Sequence, residues 1–112
     1  MTTKANKYVE AIGEAAVIEG LAEESAELAA AALKYGRKLR GENPTGQTAY
    51  ELQDVMVEEM ADVLNYLELA MSLPWFTDEV RTMCDRTCRK KMKRFRDRLE
   101  EAGKWEKQTA TV

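Results

Sequence analysis

The chain has 112 residues, 33% of them charged and 45% hydrophobic, with a formal net charge of −3. That is the length of one domain or one subunit, and a domain so short buries a modest core, which makes self-association the default expectation. The weak negative charge excludes a global attraction to nucleic acid or to an anionic membrane, and no apolar run approaches the length that spans a bilayer.

Helix formers dominate and no stretch alternates with period two, so the chain reads as all-α, a bundle of four to five helices. A first short helix is predicted from about Lys4 to Val17, where Val9, Ile12 and Ala16 keep a helical spacing. A second runs from Ile18 or Glu19 to Arg40. Gly20 either separates the two or is tolerated inside one long helix, and Gly41 stops it. Pro44 and Gly46 make "GENPTGQ" a loop. Thr48 opens a third helix, with Glu51 at capping-box spacing, that continues to about Ser72. Pro74 sets the next break. Thr77 then caps a fourth helix, which carries Asp78 and Glu79 in its first turn and ends near Gly103. One domain is therefore expected over residues 1–103, with 104–112 a flexible tail. Cys84 and Cys88 share a face of the fourth helix. Two thiols four apart suit neither a disulfide nor a complete zinc site, and no secretory signal opens the chain. They read as buried thiols of a cytoplasmic protein.

Two acidic stretches stand out, "EESAE" from Glu23 and "EEMAD" from Glu58. On the second helix Val17, Leu21, Leu28, Ala32, Tyr35 and Leu39 define an apolar stripe. Glu24 falls roughly 40° to one side of its centre and Glu27 roughly 100° to the same side. On the third helix the stripe is Leu52, Met56, Val63, Leu67 and Ala70, and Glu59 and Asp62 repeat those two offsets. Glu23 and Glu58 lie further round, toward solvent. A carboxylate beside a packing seam is costly unless a cation or donor meets it. Packed side by side, the two helices bring Glu24, Glu27, Glu59 and Asp62 into one oxygen cage, which stays ionised only with positive charge inside it. Solvated Glu-rich faces are the plain alternative, and it is the matched placement of two pairs that argues against them. Carboxylates alone suit Mg²⁺, Mn²⁺ or Ca²⁺. The chain has no histidine, which removes most of the case for zinc or for a di-iron bundle. Mg²⁺ commonly shares its shell with phosphates, so the donor set already hints at a phosphorylated substrate.

Residues 81–98 are strongly basic, interrupted only by the acids Asp85 and Asp97. Lys91, Arg94 and Arg98 form one row beside a stripe of Cys84, Cys88, Met92, Phe95 and Leu99. Lys34 and Lys38 lie on the acidic side of the second helix. Such cations suit a polyphosphate, whose charge grows in a transition state. A solvated basic face is the alternative.

These residues together resemble the MazG-like all-α nucleoside triphosphate pyrophosphohydrolases. "EESAE" followed by "EEMAD" is similar to the family's EExxE…ExxD signature, and "ADVLNYLELA", "RGENPT" and "RKKMKRFRDR" are similar to its following helix, loop and late basic helix. The spacer Leu28–Glu58 is on the long side, and the late helix lacks the Asn often found near its Lys. The resemblance implies hydrolysis of a (d)NTP to (d)NMP and pyrophosphate, with Mg²⁺ (or Mn²⁺) held by Glu24, Glu27, Glu59 and Asp62. It also implies a homodimer or homotetramer. On that reading water activated by the metal attacks the α-phosphorus, Glu23 or Glu58 takes its proton, and Lys91, Arg94 and Lys34 meet the substrate phosphates. The rivals are a non-enzymatic helical oligomerisation module and a pyrophosphohydrolase acting on another diphosphate, such as phosphoribosyl-ATP or an alarmone.

Overall fold

In the computed structural model, residues 3–42 and 46–106 are described, and among them the fold is all-helical, with no strand. The order is α1 (Thr3–Ile12), α2 (Glu14–Arg40), α3 (Ala49–Ala70) and α4 (Asp78–Glu101). Pro44 and the last residues of the predicted tail lie outside the described residues. The chain divides into two compact units, one ending at Pro74 and one beginning at Trp75.

In the first unit the break between α1 and α2 sits at Gly13, not at Val17 or Ile18 as the apolar spacing predicts. Gly13 has φ +88°, in the left-handed region that glycine occupies without strain. Its N–H still donates to the Val9 carbonyl at 2.7 Å, and its own carbonyl accepts from Val17 at 3.2 Å. A helical period survives such a one-residue break, so apolar spacing alone does not reveal it. Gly41 ends α2 in the left-handed conformation, φ +68°, as its position implies. The capping box of α3 is complete. The Glu51 N–H donates to Thr48 Oγ1 at 3.1 Å, and the Thr48 N–H donates to Glu51 Oε1 at 3.2 Å, which satisfies two otherwise orphaned donors.

α2 and α3 form an antiparallel pair. Gly20 meets Tyr66 at one end of it, and Gln53 Nε2 donates to the Tyr35 hydroxyl at 2.7 Å nearer the other. α1 packs against both helices. The core is the cluster of Val17, Ala70 and Leu73, with Val9, Leu21 and Leu69 half-buried around it. Val17 and Leu73 are the largest fully buried side chains, and burial of each contributes about 1.5–3 kcal/mol. Leu52 is buried too, as its place in the α3 stripe predicts, while Leu39 and Ala32 of the α2 stripe are exposed.

In the second unit Thr77 caps α4 through its hydroxyl, which accepts from the Val80 N–H at 3.3 Å. Arg81 lies over the Phe76 ring at 5.3 Å from its centroid. Cys84 and Cys88 are exposed rather than buried, and so are Met92 and Phe95. Cys88, Met92, Phe95 and Leu99 of the stripe expected to be core instead line an open groove of about 630 Å³ with Trp105. A stripe pattern shows that a helix has an apolar side, and says nothing of whether this chain itself covers it.

At Gly20 the Tyr66 ring of α3 lies against the backbone of α2. A Cβ added there would overlap the Tyr66 ring, lying 2.6 Å from Cζ. Alanine gains about 1 kcal/mol over glycine in helix propensity, while overpacking costs about 1–3 kcal/mol. Gly20→Ala is therefore expected to destabilise the protein in chemical denaturation. In a Tyr66→Ala background the same change should stabilise it. A stabilising Gly20→Ala in the wild-type background would refute the close approach.

Candidate metal centre

Four carboxylates converge where α2 and α3 run side by side. Glu24, Glu27, Glu59 and Asp62 each present an oxygen, and these oxygens all lie within 4.8 Å of one another. The local reason is helical. Positions three apart lie on one side of a helix, so each i, i+3 pair forms one wall. The antiparallel packing sets the walls opposite each other. Two oxygens on opposite sides of a Mg²⁺ ion lie about 4.2 Å apart, and about 4.6–5.2 Å for Ca²⁺. The span is that of one cation's first shell.

The cluster is electrostatically incomplete. Glu24 Oε2 and Glu59 Oε2 are enclosed side-chain oxygens with no hydrogen-bond partner. Burial pushes the Glu24 carboxyl up to about 7. The bond that a shared proton makes with Glu27, and then the charges of Glu27, Asp62 and Glu59, act in the same direction. Glu59 is also held above its ordinary value, by burial first, then by the charge of Glu27 and its hydrogen bond, then by Asp62 and Glu58. Left to themselves these acids retain protons. An enclosed acceptor without a donor is unfavourable, and a cation between the four oxygens removes that deficit. The donor set, hard oxygens with no sulfur or imidazole, fits Mg²⁺, Mn²⁺ or Ca²⁺.

Of the remaining predicted site residues, Glu23, Glu58 and Lys34 share the first unit with this cluster without being part of it. Glu23 and Glu58 are exposed on α2 and α3; Glu58 is near enough for its charge to act on Glu59. Lys34 is exposed on α2, seven positions beyond Glu27, about 10 Å along the axis. Lys38 is half-buried one turn further. Lys91 and Arg94 are exposed on α4, in the second unit. Sequence reasoning did not single out the Gly20–Tyr66 contact, which lies one turn from Glu24 on α2 and one turn from Asp62 on α3. A glycine inside a long helical pattern was its one visible signal. Comparison with protein-family models, curated proteins and solved structures finds no match to this chain.

The raised acids carry a sign that can be measured without substrate. Between about pH 4.5 and pH 7 the folded metal-free protein holds a proton on Glu24 that the unfolded chain has released. The stability from that group is therefore full below pH 4.5 and declines as pH rises toward 7. Divalent cations need the ionised carboxylates, so their binding has the opposite trend. Thermal unfolding in chelator is expected to give a midpoint that falls from about pH 5 to pH 8. Mn²⁺ or Mg²⁺ should raise the midpoint most at the high end. Glu24→Gln should flatten the chelator curve and remove the metal effect. A chelator curve that Glu24→Gln leaves unchanged would contradict the assignment.

Proposed function

We propose that this protein is a Mg²⁺-dependent nucleoside triphosphate pyrophosphohydrolase, converting a (d)NTP and water to a (d)NMP and pyrophosphate. The observation that carries the reading is the cage of Glu24, Glu27, Glu59 and Asp62, with two of its oxygens enclosed and unpartnered. An all-carboxylate cage binds a cation that retains open positions for phosphate oxygens. The order of the acids along the chain, with the resemblance it carries, selects nucleotide pyrophosphohydrolysis among the reactions of phosphate anhydrides.

The chain's own residues supply binding and proton handling. Glu24, Glu27, Glu59 and Asp62 hold the ion. When bound, Mg²⁺ supplies a Lewis acid that makes water a better nucleophile and offsets charge on the phosphate oxygens. Glu58, exposed beside Glu59, accepts the proton of the attacking water, and Glu23 is the other acid able to do so. Lys34 lies along α2 on the side of Glu27, at a distance that a triphosphate extended from the cage spans. Nothing in this scheme needs a sulfur or imidazole ligand, and the chain has no histidine to offer one.

The test is pyrophosphate release from a panel of NTPs and dNTPs with Mg²⁺, wild type against Glu59→Gln. Release from one or a few nucleotides is expected, and the variant should lose about 100-fold or more, since even outer-shell partners of a ligand are worth about 10–100-fold. Lys34→Ala is expected to raise KM more than it lowers kcat. A folded protein that binds Mg²⁺ and releases no pyrophosphate from any nucleotide would shift the assignment to another diphosphate substrate. One that binds no divalent ion would leave the helical module as the reading.

A further inference from the structure

α4 carries a row of sulfur that the proposed activity does not use. Cys84, Cys88 and Met92 follow one another at intervals of four, which sets them one above another on one side of a helix. α4 is a continuous helix over Asp78–Glu101, so nothing interrupts the row. Both thiols are free and exposed, and Cys88 lines the same open groove as Met92. Cys88 is near enough to act on the Cys84 thiol, which is held above its ordinary value by desolvation first, then by Cys88 and by Asp85, with Arg81 opposing them. Side chains four apart on a helix have Cβ atoms about 5–6 Å apart, whereas a disulfide needs about 3.5–4.5 Å. The helix therefore holds the two sulfurs too far apart to bond to each other. Metal–sulfur bonds of about 2.3 Å set two sulfurs on opposite sides of one ion about 4.6 Å apart, which two side chains leaning toward each other reach from that spacing.

We propose that Cys84 and Cys88 form a site for one soft, thiophilic metal ion of the class of Cu⁺. Thiolate and thioether sulfur select Cu⁺, whereas carboxylate oxygens suit hard cations, so this row is the chemical inverse of the cage on α2 and α3. Two thiolates complete the shell of a two-coordinate ion. Zn²⁺ asks for four ligands, and the chain has no histidine to add. Among the described residues the one grouping of three or more Cys, Asp or Glu is the carboxylate cage, which includes neither cysteine. Binding balances without any change of oxidation state. Two thiols and Cu⁺ give a bis-thiolate complex of single negative charge and two protons released to solvent. Arg81, whose charge already favours the ionised Cys84, offsets the charge of that complex. Both ligands belong to one helix, so the site is complete within the second unit. Neither thiol is among the residues proposed to hold Mg²⁺ or to meet phosphate, so this site stands or falls separately from the proposed activity.

Competition of the full chain with a chromogenic Cu⁺ chelator, without oxygen and with Mg²⁺ in excess, reads the site. The wild type is expected to withdraw one Cu⁺ per chain. Cys84→Ser and Cys88→Ser should each weaken that binding by about 100-fold or more. Their helical circular dichroism should match the wild type, because both side chains are exposed. Glu59→Gln should take Cu⁺ as the wild type does, which separates the sulfur site from the carboxylate cage. If a serine variant loses its helical signal, Cys84→Ala and Cys88→Ala decide on the same readout, alanine being the better helix former. A wild type that withdraws no Cu⁺ overturns the proposal, and so does a folded single variant that keeps the wild-type affinity. Uptake of half an ion per chain also overturns it, since the thiols of two copies would then share one ion.

Discussion

The antiparallel contact of α2 with α3 is the constraint on which the rest of the first unit depends. It sets two i, i+3 acid pairs face to face, an arrangement that costs energy in itself, since four carboxylates within the span of one cation's first shell repel one another and two of their oxygens are enclosed. The contact is held on either side of the cage by features with no charge. Gly20 admits the Tyr66 ring, the Val17–Ala70–Leu73 cluster buries apolar surface, and Tyr35 and Gln53 share a hydrogen bond. Apolar packing and close approach thus impose the juxtaposition that electrostatics opposes.

That opposition is the link from structure to chemistry. A cluster of acids held together against its own repulsion has two ways to relax, by keeping protons or by taking a cation. The raised Glu24 and Glu59 carboxyls are the first way. The second is the one the proposed activity uses, and it would exchange the protons for a charge that can also meet phosphate oxygens. Strain concentrated at such a cluster is what sites that bind and react commonly carry, and the surrounding packing stabilises it.

The two cysteines show how a helical pattern can be read correctly and still mislead. Cys84, Cys88, Met92 and Phe95 do lie on one side of α4, and they are exposed there. Periodicity reports which side of a helix is apolar. Which apolar side is covered depends on what packs against it, and that is a property of the whole assembly of helices.

Local signals in the sequence determined the all-helical class, the capping box at Thr48, the left-handed stop at Gly41, the cap at Thr77 and the pairing of acids three apart on one side of each helix. Each of these depends on residues within one or two turns, where backbone hydrogen bonds and the period of 3.6 decide the geometry. The break at Gly13 was hidden because a single left-handed residue leaves the apolar spacing intact. Tertiary structure alone decided that α2 and α3 pair in the register that closes the cage, that Gly20 is a contact rather than a boundary, and that two of the four acids carry raised pKa values. Those outcomes depend on residues some 35 or more positions apart in sequence, Glu24 with Asp62 and Gly20 with Tyr66. No local propensity encodes a distance between helices; burial and steric fit set it once the chain has folded.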